Sequence, residues 1–265
     1  MINYNFLLCN GLIFIFFLLI LLIQIFSITK PDDFSKQNIY IVNPTDAYNT
    51  IINNGYINTF NNTDMKIRKC KNIEDCKNLY KKNFIHFTKN EKQVLVDLVK
   101  QTNKKLKFFT KLYNLPWKFT KTTNKIDNGF PHTHNDTIYL SDGFFKNNNI
   151  KTLIHEKIHL YQKKYPYKTD KLYKLYNYEK IERFNTSNRR ANPDLNNYDY
   201  KHNGKILYSE YNDNADNLSD IKMNNLEENA FKNEHPDEYF AYLITDKIIG
   251  TFDENDQKII DYITY

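Results

Sequence analysis

From Leu12 to Ile28 the chain reads LIFIFFLLILLIQIFSI, and no charged side chain precedes Lys30. A run of this length matches an apolar helix crossing a bilayer core. The start, MINYN, lacks the basic residues of a cleaved secretory signal, and the run is longer than a signal's apolar stretch. The pattern therefore predicts a retained, single-pass transmembrane anchor over residues 1–29. Its orientation stays open. Lys30 and Lys36 follow the run and favour a cytoplasmic C-terminal part, whereas N-x-S/T sequons begin at Asn61, Asn135, Asn185 and Asn217. Beyond Lys30 the apolar pattern breaks up. Within the linker or N-terminal segment 30–88, residues 29–65, with Pro31, Pro44 and Gly55, read as a linker holding one short strand at Ile39–Val42, and residues 66–88 as a charged helical stretch. From Glu91 to Tyr113, Leu95, Leu98, Val99, Leu106, Phe109 and Tyr113 recur at helical spacing, and the helix must end before Pro116.

Trp117–Thr122 and Thr137–Ser141 read as strands, the second alternating Ile138 and Leu140 with Tyr139. Asp142-Gly143 reads as a turn. A helix is expected from the Asn147–Asn149 cluster to about Lys164, with Pro166 just beyond. Tyr167–Glu182 reads as helical, residues 185–203 as turn-rich, Lys205–Tyr208 as a short strand and residues 212–225 as a loop. Another helix opens at Pro236, with Asp237 and Glu238 in the first turn, where the helix dipole favours acids. Glu254–Ile263 reads as a closing helix. The expected fold class is α+β: a domain over residues 89–265 with a small mixed or antiparallel sheet, preceded by the transmembrane helix.

Composition changes this picture little. The chain has 265 residues and 15% aromatic side chains, which argues against disorder. Its abundant asparagine, lysine and isoleucine fit the codon bias of an AT-rich genome, as in a large DNA virus or an AT-rich microbe, so asparagine richness carries no functional weight. The net charge of +6, from 37 basic and 31 acidic side chains, is too mild for a nucleic-acid binder. Three cysteines cannot build a disulfide framework. Cys9 lies in the apolar run; for Cys70 and Cys76 a disulfide and two free thiols are both open.

The candidate chemistry lies in TLIHEKIHLYQ, which contains His155-Glu156-Lys157-Ile158-His159. Residues four apart share a helix face, so both imidazoles can reach one zinc ion. Glu156 sits beside that face, placed to act on a metal-bound water as the catalytic base. The apolar flanks Leu153, Ile154, Ile158, Leu160 and Tyr161 predict a largely buried helix, and two histidines and a glutamate on such a helix need a use. A catalytic zinc site needs a third protein ligand and one open position. Glu238 in HPDEYFAYL is the best candidate, because small Ala241 would let its helix approach the first closely. Glu234, His235 and Asp237 are held in reserve.

These residues resemble the zincin metallopeptidases, and among them the gluzincins. The resemblance implies His155, His159 and Glu238 as zinc ligands and Glu156 as catalytic base, on a zincin-like domain with a central active-site helix. The string Glu238–Ala241 is similar to the segment around the third ligand in the anthrax lethal factor-like group. The longer HExxHxxGxxH signature is absent, with Tyr165 where its third histidine would stand. The resemblance spans at most residues 90–250. It also implies that a strand upstream of the helix, here Thr137–Ser141, pairs with extended substrate. His132 and His134 in the preceding PHTH read as loop residues. Tyr208, Tyr211 and Tyr242 are candidate donors to a transition-state oxygen, and Arg189 and Arg190 read as a structural turn. The expected function is a membrane-anchored zinc metallopeptidase acting on a peptide or protein substrate. Its membrane is viral envelope or host. The alternative is a non-catalytic, membrane-anchored structural or interaction protein whose HExxH is degenerate or incidental.

Overall fold

Five strands build the central sheet: β1 (Ile39–Ile41), β2 (Phe84–Ile85), β3 (Trp117–Thr122), β4 (His132–His134) and β5 (Thr137–Ser141). They are ordered β1-β3-β5-β4, with β2 pairing antiparallel to β3. β1 and β5 run parallel to β3, whereas β4 is antiparallel to β5 and forms the edge. Every residue of β5 is buried, as expected of a strand with neighbours on both sides and layers on both faces. Trp117 and Phe119 stack two apart on one face, and Ile138 lies opposite Phe119. Tyr139 points the other way, into a cluster with Ala47, Ile51, Tyr80 and Phe84.

The helices cover both faces. Before the sheet's last strands come α1 (Pro44–Asn53), α2 (Asn62–Ile67), α3 (Ile73–Asn83), α4 (Lys89–Leu106) and the short α5 (Thr110–Tyr113). After β5 follow α6 (Asp142–Lys146), α7 (Ile150–Lys164) and α8 (Pro166–Leu175). Two small antiparallel sheets come next, β6 (Tyr178–Glu182) with β7 (Tyr198–His202) and β8 (Lys205–Leu207), then β9 (Ser209–Tyr211) with β10 (Ile221–Met223). Helices α9 (Pro236–Ile249) and α10 (Gln257–Thr264) end the chain. Helix α7 begins as its sequence dictates, with the Asn149 side chain accepting from the Lys151 amide. It lies on the Trp117 face: the Lys157 ammonium sits 3.7 Å from the Trp117 ring centroid and donates to the Leu115 carbonyl. Lys157 is fully buried, which pushes its pKa well below the ordinary lysine range.

This computed structural model describes residues 33–147, 149–184, 186–223, 233–250, 252 and 256–265. The chain divides into two units, Met1–Gln37 and Asn38–Tyr265, and the sheet and all labelled helices lie in the second. The anchor expected over residues 1–29 falls outside the described residues. Among those described, no helix is long and apolar enough to cross a membrane. Even the 18-residue α4 carries Lys89, Lys92, Lys100, Lys104 and Lys105. The fold class and the single-pass localisation are corrected accordingly: the structure supports a mixed helix-and-sheet fold, and gives a transmembrane anchor no support.

Other expectations change for local reasons. The stretch expected as a linker holds α1 and α2 besides the short strand β1, α3 lies where a charged helical stretch was expected, and Cys70 and Cys76 are joined in a disulfide. Arg68 ties this segment to the rest. Its guanidinium donates to Asp64 and Asp127 and to the Ala191 carbonyl, all buried. The helix read over Tyr167–Glu182 stops at Leu175. Asn177 takes a left-handed φ of 63°, and the chain turns into β6, paired with β7 in a stretch expected to be turns. Asp142-Gly143 opens a short helix instead of a turn, because the Ser141 hydroxyl caps the Gly143 amide.

Candidate metal centre

Helices α7 and α9 bring three donor atoms together. His155 Nε2 and His159 Nε2 lie 3.1 Å apart. The Glu238 Oε2 atom is 3.4 Å from the first and 3.6 Å from the second. A tetrahedral site with metal–ligand distances of about 2.0–2.1 Å has its ligand atoms about 3.3 Å apart, so the three separations fit one ion at their centre. Among the described residues these are the three that form such a group. Glu238 reaches the imidazoles because α9 starts in the right place. His235 caps it through the Asp237 amide, Pro236 occupies the first turn, and the fully buried Ala241 allows close helix packing.

The ligands are held by a further layer of polar side chains. The Gln162 amide donates through Nε2 to the Asp237 backbone carbonyl at 2.8 Å and to the Tyr173 hydroxyl. A carbonyl can only accept, so Gln162 Oε1 faces His159 Nδ1, 2.8 Å away, and Nδ1 carries the proton. The Nε2 lone pair of His159 is thereby aimed at the metal position. Asn192 Nδ2 donates to Glu238 Oε1 at 3.1 Å, which leaves Oε2 to the metal. Lys163 of α7 donates to the carbonyls of Pro193 and Asp194 and pins the loop that carries Asn192.

Glu156 lies outside the three-donor group but lines the same cavity as His155 and Glu238. Its Oε2 accepts from the Thr133 hydroxyl of β4 at 2.9 Å. Burial, reinforced by the nearby Asp194, pushes its carboxyl well above the usual range. Burial opposes charge on His159 too, but Asp194 and Glu238 outweigh it and raise its pKa to about 10. Burial would raise Glu238, yet the charge of His159 and hydrogen bonds from both imidazoles hold it well below the ordinary range. Without metal, then, an imidazolium–carboxylate pair fills the centre. Its contribution to stability through His159 is complete below about pH 6.5 and is lost as pH rises through about 10. A metal must displace the His159 proton. Cation affinity should therefore rise with pH, about tenfold per unit between roughly pH 6.5 and 10, in chelator-competition titrations. An affinity that stays flat over this window would show that no proton is displaced.

A cavity of about 480 Å³ opens over the centre, lined by His155, Glu156, Glu238, Tyr242, Asn192 and Asp194 among others. Of the tyrosines considered from sequence, Tyr242 lines this cavity, its ring 4.5 Å from that of His155. Tyr211 is instead bonded to Asp64 and Arg68, and Tyr208 stacks on Phe184. The reserve ligands are occupied elsewhere. Glu234 pairs with Arg190 and accepts from Ser209, His235 caps α9, and Asp237 accepts from Tyr173 and the Asn196 amide. Arg189 is paired with Asp199. The strand expected to meet substrate, Thr137–Ser141, is an interior strand; the edge is β4, which carries His132 and His134, read from sequence as loop residues. Sequence reading also missed Thr133, Gln162, Asn192 and Asp194. Asn192-Pro193-Asp194 carries the signature of a turn, which it is, and nothing local marks its contacts with Glu238 and β4. No protein-family model matches the chain, and neither do any curated protein or solved structure.

Proposed function

We propose that this chain is a zinc-dependent peptidase of the gluzincin type, with His155, His159 and Glu238 as zinc ligands and Glu156 as catalytic base. The observation that carries the reading is the convergence of two imidazole nitrogens and one carboxylate oxygen at tetrahedral spacing, with a second, buried carboxylate beside them. Two imidazoles and a carboxylate suit zinc, whereas calcium and magnesium favour all-oxygen sets. When bound, zinc supplies Lewis acidity that polarises a scissile carbonyl and acidifies a water.

The chain's own groups do the rest. Glu156 is held at one oxygen by Thr133, which leaves Oε1 to take a proton and later return it to the leaving amine. Gln162 and Asn192 keep the ligand atoms oriented. Extended substrate would lie along the edge strand β4, although at Thr133 the outward amide is already bonded to Asp194 Oδ1. The test is hydrolysis of a mixed peptide library by purified protein carrying one equivalent of zinc. Cleavage should vanish on chelation and return with added zinc. Zinc-loaded protein that cleaves no peptide in the library would overturn the reading.

A further inference from the structure

The cavity over the metal centre continues around the edge of the sheet. Thr133 of β4 faces Glu156, whereas its neighbour His132 stacks on Tyr139 on the opposite face. Yet His132, Asp127 and Arg68 line the same cavity as His155 and Glu156. His132 is only 3% exposed, and its Nε2 has no hydrogen-bond partner. A buried polar atom without a partner is costly and calls for an explanation.

The chemistry of this lobe is set by its neighbours. His132 Nδ1 lies 3.0 Å from the Phe130 carbonyl, an acceptor, so Nδ1 carries the proton. In the neutral ring Nε2 is then a bare lone pair. The nearest carboxylate oxygen, Asp127 Oδ2, is 3.9 Å away, too far for a hydrogen bond with a proton on Nε2. Two acceptors at that separation can be bridged by one donor about 2.9 Å from each. Asp127 is itself anchored: Arg68 donates to Oδ1 and the Tyr80 hydroxyl to Oδ2, which keeps a second lone pair. Phe130 and Leu218 line the approach and offer apolar surface to an aliphatic stem.

We propose that His132 Nε2 and Asp127 Oδ2 form a specificity subsite for a cationic side chain, lysine above all, on the substrate of the neighbouring metal centre. The inference rests on the peptidase reading for its substrate, not for its binding chemistry. Lysine and norleucine differ in the ammonium group, so peptides carrying one or the other at each position around the scissile bond isolate its contribution. Zinc-loaded protein should show a kcat/KM ratio of at least tenfold for lysine over norleucine at one position. His132→Phe retains a ring to stack on Tyr139 and should bring that ratio to near one. His132→Gln returns an acceptor oxygen and should recover part of it; it also serves if the Phe variant fails to fold. Cleavage with no lysine preference at any position, or a preference that survives His132→Phe, overturns the subsite and leaves the peptidase reading standing. Binding is measured separately by titrating zinc-loaded Glu156→Gln protein with Nα-acetyl-lysine amide and its norleucine analogue. Lysine-selective binding that depends on His132, together with a zinc-loaded parent protein that cleaves nothing, supports the subsite and sinks the peptidase; equal binding of the two analogues sinks the subsite.

Discussion

Glu156→Gln should keep a full equivalent of zinc while hydrolysis falls by about 10²–10⁴-fold, the range a general base contributes. Glutamine has nearly the same shape, and its amide oxygen can still accept from Thr133, so the fold and the three ligands stay in place. What is lost is the site that takes the proton. His155→Ala and His159→Ala act differently, because each removes a donor atom from a set of three. Both should abolish stoichiometric zinc and, with it, activity. Atomic absorption on dialysed protein, set beside peptide hydrolysis rates, separates the two classes. Full zinc in both histidine variants, or a Glu156→Gln rate within tenfold of the parent, would falsify the assignment of roles.

Glu238→Ala should weaken zinc binding by more than the roughly 10–100-fold that loss of an outer hydrogen-bonding partner costs. The outer partner is itself testable: Asn192→Ala, which frees Glu238 Oε1, should fall within that 10–100-fold range. Glu234→Ala is the informative contrast. Glu234 lies four residues before Glu238 and is also buried, but it pairs with Arg190 and accepts from Ser209 and Asn192. Its removal leaves a buried guanidinium without its carboxylate, which costs about 3–5 kcal/mol of stability. Thermal unfolding should thus report Glu234→Ala, and calorimetric zinc titration should report Glu238→Ala. Zinc affinity that is unchanged in Glu238→Ala and lost in Glu234→Ala would move the third ligand to the wrong glutamate.

The helices that hold the centre were legible because their signals are local. The spacing of His155 and His159 needs only one helical turn to place both rings on one face. Asn149 at the start of α7 and Pro236 at the start of α9 set those boundaries by hydrogen bonding and ring geometry within a few residues. Convergence of Glu238 on the two imidazoles was an inference from chemistry, since a three-ligand site needs a carboxylate from elsewhere, and the packing of α9 on α7 places it there.

Strand pairing was not legible in the same way. Thr137–Ser141 and His132–His134 are close in sequence, and alternation alone cannot say which of two neighbouring segments forms the edge. That depends on β3 arriving from earlier in the chain to pair with β5, which leaves β4 outside. The helix read through Tyr167–Glu182 failed for a related reason. Asn177 in a left-handed conformation is affordable only because β7 is there to receive the β6 strand that follows.

By itself, then, the sequence determined helix α7, its paired histidines, its glutamate and the start of the helix that carries Glu238, because each follows from contacts within one or two turns of backbone. The tertiary structure alone decided which polar residues stand behind them. Gln162, Asn192, Thr133 and Asp194 belong to common residue types in a chain rich in polar side chains, and their roles arise when burial removes water and leaves each the partner that distant packing supplies.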